Sequence, residues 1–549
     1  MTETSHAMPA ARETPSEQAR NPWLVLLVLC TAIFMLLLDT TIVNVAQRKI
    51  QVDLNASLTQ IQWVLDSYIL TYAVLLLSFG RMGDVFGRKR LFIVGMAIFT
   101  AASALCAASN ALGDALNVSG VNVLIWSRVL QGFGGAFMMP QTLSLLTVVF
   151  PPEKRGAAMG IWGGIVALGA VIGPVVGGLI VTNYAWEWVF LINVPIGIAS
   201  ILATIAIIPE STDPRASKRL DWAGLFLSGF GIFALVYAMI EAPKVGWTST
   251  ETLLLSFTGI LLLVIFIWWE RRARDPMMKI ELFAHRNFWA GNLVSLLVAF
   301  GMLGIFFPMT LFLQGALGFS PIRAGLTMTP MSLMIMIAAP IAGRLTDRIG
   351  ARWILATGLT FMTAGVLFLR SRISLETDWQ GLLPALIVTG TGMGLTFAPM
   401  TTAVMAEVPP RIAGSASGIL NTMRNIGQVM GIAVLGSVLS SQVAAHAGDQ
   451  LDSVAISDSA RQEIVRLARD SRFEDFPAAL QGADAARMQA TFAAVQQAFV
   501  DSLQNTFLVG AGACAVALAV AFLMRNPARQ PAAASAPRRE PGATAVAAD

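Results

Sequence analysis

The chain alternates long apolar runs with short polar joints. Runs of roughly twenty or more mostly apolar residues occur at 23–46, 61–80, 90–109, 122–148, 156–181, 188–208, 221–240, 252–269, 288–314, 324–343, 352–370, 381–404, 413–440 and 503–524. A helix needs about 20 such residues to cross a bilayer. The pattern therefore predicts fourteen transmembrane helices and no strands. An even number places both termini on one side. Lys and Arg decide which side, because short cytoplasmic loops retain them. With the N-terminus inside, the inner segments carry 24 Lys/Arg and the outer ones 11, five of which lie in one long loop. The pattern predicts an N-in, C-in protein of the cell inner or plasma membrane.

The pattern also repeats. "GRMGDVFGRKR" (80–90) returns as "GRLTDRIGARW" (343–353), "GFGGAFMMP" (132–140) as "GMGLTFAP" (392–399), and "AAMG" (157–160) as "SASG" (415–418). Three pairs in one order mean two homologous halves of six spans, with spans 7 and 8 inserted between them. Parallel repeats of this kind imply two lobes related by an axis along the membrane normal, with a substrate path between them. The expected division is a tail 1–22, a six-helix lobe 23–208, an insertion with linkers 209–287, a second six-helix lobe 288–524 and a disordered tail 525–549. The second lobe includes an outer helical hairpin at 441–502, where Ile464, Leu467, Met488, Phe492, Val495 and Phe499 recur at helical spacing. This segment could cover the outer face, lie on the bilayer, or dock a periplasmic adaptor.

Composition narrows the function. Hydrophobic residues make up 55% and charged residues only 13%, against about 25% charged in soluble proteins. A soluble enzyme, a disordered chain and a nucleic-acid binder are excluded, and the net charge of +4 reflects loop bias. Cys30, Cys106 and Cys514 stand alone in apolar runs, while His6, His285 and His446 lie outside them, so no metal or disulfide spacing arises. No phosphate-binding G-x-x-x-x-G-K-[ST] loop is present. No cofactor is expected. The partners expected are a small-molecule substrate and the lipid bilayer.

Ionisable residues inside apolar runs are costly and mark function by default. Asp39, Asp66, Arg128 and Arg424 are the clearest cases. Asp39 lies about 24 Å into span 1, by a rise of ~1.5 Å per residue. Asp66 and Arg128 lie at a similar height, and Arg424 near mid-depth in the other half. A plain bracing or pairing role is the alternative for Asp39, Arg128 and Arg424, and a wetted place near the interface, behind Trp63, for Asp66. Gly80, Gly83, Asp84, Gly87 and Arg88 in the first loop motif, with Asp347 and Arg348 in its copy, form a candidate cytoplasmic gate. Gly169, Gly173, Pro174, Gly177 and Gly178 give span 5 a small-residue face suited to close helix approach. Asn44, Gln131, Gln141, Gln314, Asn421, Arg424 and Gln428 are candidate polar cavity residues, with Met138, Met139, Met309, Phe306 and Phe307 as an apolar wall.

These segments resemble the fourteen-span drug:proton antiporters of the major facilitator superfamily. The similarity runs from about Pro22 to Met524. It rests on "LDTTIVNVA" (38–46), "GRMGDVFGRKR" (80–90), "RVLQGFGGA" (128–136), "GAVIGPVVGG" (169–178), "WEWVFLINVPIG" (186–197), "LDWAG" (220–224) and "AGSASGILNTMRNIG" (413–427). The resemblance implies an all-helical major facilitator fold and multidrug efflux of amphipathic or cationic compounds, driven by the proton gradient. It makes Asp39 the proton carrier, with Arg128 tuning it and Asp66 as a second carboxylate. Two positions depart from the family: Gln47-Arg48 stands where Leu-Pro is usual, and Glu187 where Arg is usual. A lipid or single-metabolite exporter is the nearest rival, and a polytopic membrane enzyme the rival from another class.

Overall fold

The computed structural model describes residues 21–56, 58–212, 221–319, 321–452, 454, 456–469, 476, 480 and 485–525. The two expected terminal tails lie largely outside these residues. Helices dominate, and no strand occurs among the described residues. The first half holds α1 (Pro22–Asp53), α2 (Leu58–Phe86), α3 (Arg88–Ala107), a short α4 (Ser109–Leu116), α5 (Gly120–Val149), α6 (Pro152–Asn183), and α7 (Trp188–Leu191) followed by α8 (Asn193–Ile207). Two helices follow, α9 (Trp222–Val245) and α10 (Thr250–Glu270). The second half holds α11 (Arg286–Leu311), α12 (Pro321–Ile349), α13 (Ala351–Arg372), α14 (Trp379–Ala406), α15 (Ala413–Leu451), α16 (Asp458–Arg469) and α17 (Ala485–Leu523). Among the described residues, 12 helices are long and apolar enough to cross a membrane. α6 and α11 stand at the two remaining apolar runs.

Local signals set the helix ends. Pro22 opens α1 behind Asn21, whose side chain accepts from the Trp23 amide at 3.0 Å. Asp221 caps α9 through the Gly224 amide at 2.9 Å and also takes the Trp269 indole N–H, tying α9 to α10. The α2–α3 and α12–α13 turns each pivot on one glycine, Gly87 at φ 111° and Gly350 at φ 100°. Side chains other than hydrogen are strained there. The two turns are copies of one another in sequence and in conformation.

The lobes have separate cores. One gathers Leu29, Met35, Phe92, Met139 and Trp162, and the other Leu355, Met362, Met393, Leu439 and Phe507. Ile412, which caps α15, and Ala416, Ile419 and Leu420 within it join the first core, so the lobes share an apolar seal near the α2–α3 turn. The inserted α9 lies against α2 and α15, along the seam between lobes.

The segment 441–502 was expected as a helical hairpin on the outer face; residues 453, 455, 470–475, 477–479 and 481–484 of it lie outside the described residues. α15 continues to Leu451 and α17 begins at Ala485, so two spans run on beyond the expected bilayer limit as single helices. Polarity at Ser440-Ser441-Gln442 suggested an end. The helix persists because Leu439, Val443, Ala447 and Leu451 keep one buried stripe at four-residue spacing. α16 appears where the amphipathic pattern put it. Its Ile464, Leu467 and Ala468 are buried in the second lobe's core, and Arg461 pairs with Asp452 and donates to the Gly448 carbonyl at 2.9 Å.

Candidate functional site

Asp39, on α1, is fully buried inside the first lobe. Arg128 of α5 donates to it through Nη1 at 2.5 Å. Gln131, one turn along α5, donates to the other carboxylate oxygen at 2.7 Å, and Asn193 of α8 does so at 2.9 Å. Gln131 also accepts from Arg128 Nη1 at 2.6 Å and donates to Ser103 of α3 at 2.8 Å. Arg128 Nε reaches the Val64 carbonyl on α2 at 3.1 Å, and its guanidinium stacks 4.3 Å over the Tyr68 ring. Five helices thus hold one ion pair. Burying two charges costs several kcal/mol per ion unless geometry and extra hydrogen bonds compensate. Here they do: one carboxylate collects three donors.

Asp66 is half-buried on α2, close along the chain to Val64. Gln131 belongs to the carboxylate network and is fully buried. Asn193, Ser103 and Tyr68 escaped the sequence reading. Asn193 carried a signal, an amide inside the apolar "WEWVFLINVPIG"; a lone Ser103 among alanines carried none.

Two latches join the lobes at the end bearing the glycine turns. Asp84, on the last turns of α2, accepts from the Gly414 and Ser415 amides at 2.8 Å each. These are the first free N–H groups of α15, where the helix dipole favours an anion. Arg88 grips Asp84 at 2.7 Å and reaches across to the Pro410 carbonyl at 2.7 Å and that of Arg411 at 3.0 Å. In the copy, Asp347 of α12 accepts from the Gly156 and Ala157 amides of α6 at 2.9 and 3.1 Å. Arg348 is exposed, and Ala351 occupies the place equivalent to Arg88. Close approach explains the glycines. A Cβ on Gly80 would sit 2.9 Å from the Gly418 Cα, and one on Gly343 would overlap the Gly156 carbonyl. Gly83 faces Gln141, whose amide donates to the Phe79 carbonyl at 2.7 Å and braces α5 to α2.

The span-5 glycines pack on α1. Gly169 faces Leu37, Gly173 faces Thr41 and Gly177 faces Ile42, with Thr41 donating to the Gly169 carbonyl at 3.2 Å; Gly178 is also buried. On α15, Ser417 donates to the Pro140 carbonyl at 2.7 Å, and Asn421 donates to the Ser417 carbonyl at 2.9 Å. Arg424 donates to Asn421 at 2.6 Å and lies 5.3 Å over Trp162 of α6. Gln428, one turn on, is half-buried, while Gln314 is exposed. Met138, Met139 and Met309 fill lobe cores rather than a cavity wall, and Phe306 packs against the second core. The side chains of Asn44, Phe307 and Pro174 lie outside the described set.

Two lobes latched through backbone amides, each crossed by long apolar helices and one holding a buried ion pair, define a multi-pass membrane transport protein. The chain belongs to the Major Facilitator Superfamily, whose family model matches residues 27–432. It is 32% identical to the tetracenomycin C resistance and export protein of Streptomyces glaucescens over 529 residues, covering 96% of each chain. It is 34% identical to the multidrug resistance protein Stp of Mycobacterium tuberculosis, covering 82% of each. Its fold matches a proton:xylose symporter of the same superfamily with TM-score 0.57 at 14% identity, over 77% of this chain and 90% of that one.

Proposed function

We propose that this protein is a proton-coupled antiporter that exports small amphipathic compounds by alternating access. The observation that carries the reading is the fully buried Asp39–Arg128 pair, sited deep in a span and held by three lobe helices besides their own. In the outward-facing state, Asp39 takes a proton from outside. Its pairing with Arg128 weakens and the network through Gln131 and Asn193 relaxes. The lobes rock, the latches at Asp84 and Asp347 part, and the site opens inward. Asp39 then gives its proton to the inner side and the pair with Arg128 re-forms.

The topology that suits this cycle has fourteen spans and both termini in the cytoplasm. Lys/Arg bias supports it, and the short basic turns that carry both latches then face the cytoplasm. Latches of this kind hold the inner end shut while the outer end loads protons. The proton gradient is the energy source and no bound cofactor is required. The similar Streptomyces glaucescens protein is named for tetracenomycin C resistance and export, which supports export as the direction.

The test is dye efflux in energised inverted membrane vesicles, with proton flux followed in parallel. Dye accumulation in the vesicles should collapse with the gradient, and Asp39→Asn should stop it. Transport that survives a collapsed gradient would refute proton coupling.

A further inference from the structure

Four arginines are buried among the described residues; Arg81 lies within electrostatic reach of Glu270, and two more are paired outright. Arg128 has Asp39 and Arg88 has Asp84. Arg424 has no carboxylate among the described residues. It is 8% exposed, donates one hydrogen bond to the neutral Asn421, and rests against Trp162. Tyr72 of α2 is the other group within electrostatic reach. Trp162 and Tyr72 belong to the first lobe and Arg424 to the second, so this cation sits where the lobes face one another. It stands ten residues along α15 from the Gly414 latch, or about 15 Å above it.

The surroundings are rich in donors. The side-chain amide nitrogen of Asn425 is buried and unpartnered, as is the Tyr68 hydroxyl. Tyr68 stacks on Tyr72 with ring centroids 5.9 Å apart, and Arg128 lies 4.3 Å over the Tyr68 ring. The stacked tyrosines therefore link the Asp39 network, through Arg128, to the surroundings of Arg424. An uncompensated buried charge is costly, and a site that keeps one is built around a missing partner of opposite sign.

We propose that the inter-lobe site takes an aromatic anion, its negative group on the Arg424 guanidinium and its ring against the half-buried Tyr72. A planar guanidinium receives a carboxylate or sulfonate through two parallel N–H bonds. A cationic aromatic would meet like charge at the same place, with no free acid to offset it. The proposal rests on the exporter reading for what the site does, while the binding it asserts can be read without transport.

The experiment uses two xanthene dyes of opposite charge, fluorescein and rhodamine 123, with the full-length protein in lipid nanodiscs. Binding is read by fluorescence polarisation. The wild type should bind fluorescein at least tenfold more tightly than rhodamine 123. Arg424→Gln should weaken fluorescein at least tenfold and leave rhodamine 123 unchanged or tighter. Arg424→Lys, which keeps the charge without the fork, should fall between. A wild type that prefers rhodamine 123, or binds neither dye, overturns the proposal. So does an Arg424→Gln protein that loses both dyes equally, the signature of a brace between helices. Proton-driven export of rhodamine 123 without fluorescein binding would leave the exporter standing and remove the anion site. Arg424-dependent fluorescein binding without proton-driven transport would do the reverse.

Discussion

Asp84→Asn should open the latched end by a calculable amount. Asp84 is fully buried and accepts two amides across the lobe boundary at 2.8 Å each. Hydrogen bonds to a charged group contribute about 1.5–3 kcal/mol each. Asparagine keeps one accepting oxygen, so one bond is lost and the other loses its charge. The closed end then loses roughly 2–3 kcal/mol, a factor of about 30–150 in its equilibrium. An end closed 99 times in a hundred would become roughly one-fifth to three-fifths open. Asp347→Asn should do less. Its carboxylate is half-buried, its bonds are longer at 2.9 and 3.1 Å, and alanine stands where Arg88 reinforces the first latch. Nitroxides at Lys154→Cys and Arg286→Cys report the separation by double electron–electron resonance. Both positions are exposed on opposite lobes, and the three native cysteines are buried. A second, longer distance should grow in the order wild type, Asp347→Asn, Asp84→Asn, double variant. Unchanged distances, or a larger effect at Asp347, would refute the latch reasoning.

Asp39→Asn should cost about 3–5 kcal/mol of stability, because Arg128 is left buried without its counter-charge; thermal unfolding in detergent measures it, and Asp39→Asn with Arg128→Gln should recover part of the loss without restoring coupled transport. Gly80→Leu should prevent the closed end from forming, since its side chain would enter the Gly414–Gly418 backbone; the same resonance labels should report a single long distance. If each exported molecule carries one negative charge and one proton enters, two charges cross per cycle and the membrane potential supplies roughly 4.6 kcal/mol per 100 mV; fluorescein efflux should therefore follow the potential at fixed pH gradient, whereas a monocation exchanged for one proton would ignore it. Leu467→Ala in α16 should lower stability by about 2–5 kcal/mol, the range for truncating a buried leucine, although it lies far from the ion pair.

Most of the helical frame was legible because membrane crossing imposes length and apolarity on each element. The internal repeat carried the latches too: Asp84 and Asp347 share a spacing to the glycine turns that no soluble loop would need. What the sequence hid was tertiary. Gln131 and Gln141 both read as polar positions in an apolar helix, and only packing shows that one serves Asp39 while the other braces Phe79. Ser103 and Tyr68 became visible only when α3 and α2 closed on α5. The methionines misled in the opposite sense, since an adaptable side chain suits a packed core as well as a cavity. The end of α15 was missed because hydropathy averages over all faces, whereas a helix needs only one.

That long helix has a mechanical consequence. At 39 residues α15 extends about 58 Å, nearly twice the ~30 Å hydrocarbon core. Its first turn holds the Asp84 latch and its far end carries α16. If the lobes rock as proposed, it would be a lever with its fulcrum at the Asp84 latch. A rocking of about 10° would sweep the tip by roughly 10 Å over such a length. A fluorophore on the exposed face of α16 would then act as a gauge of turnover, reading each stroke of the lobes from well outside the bilayer.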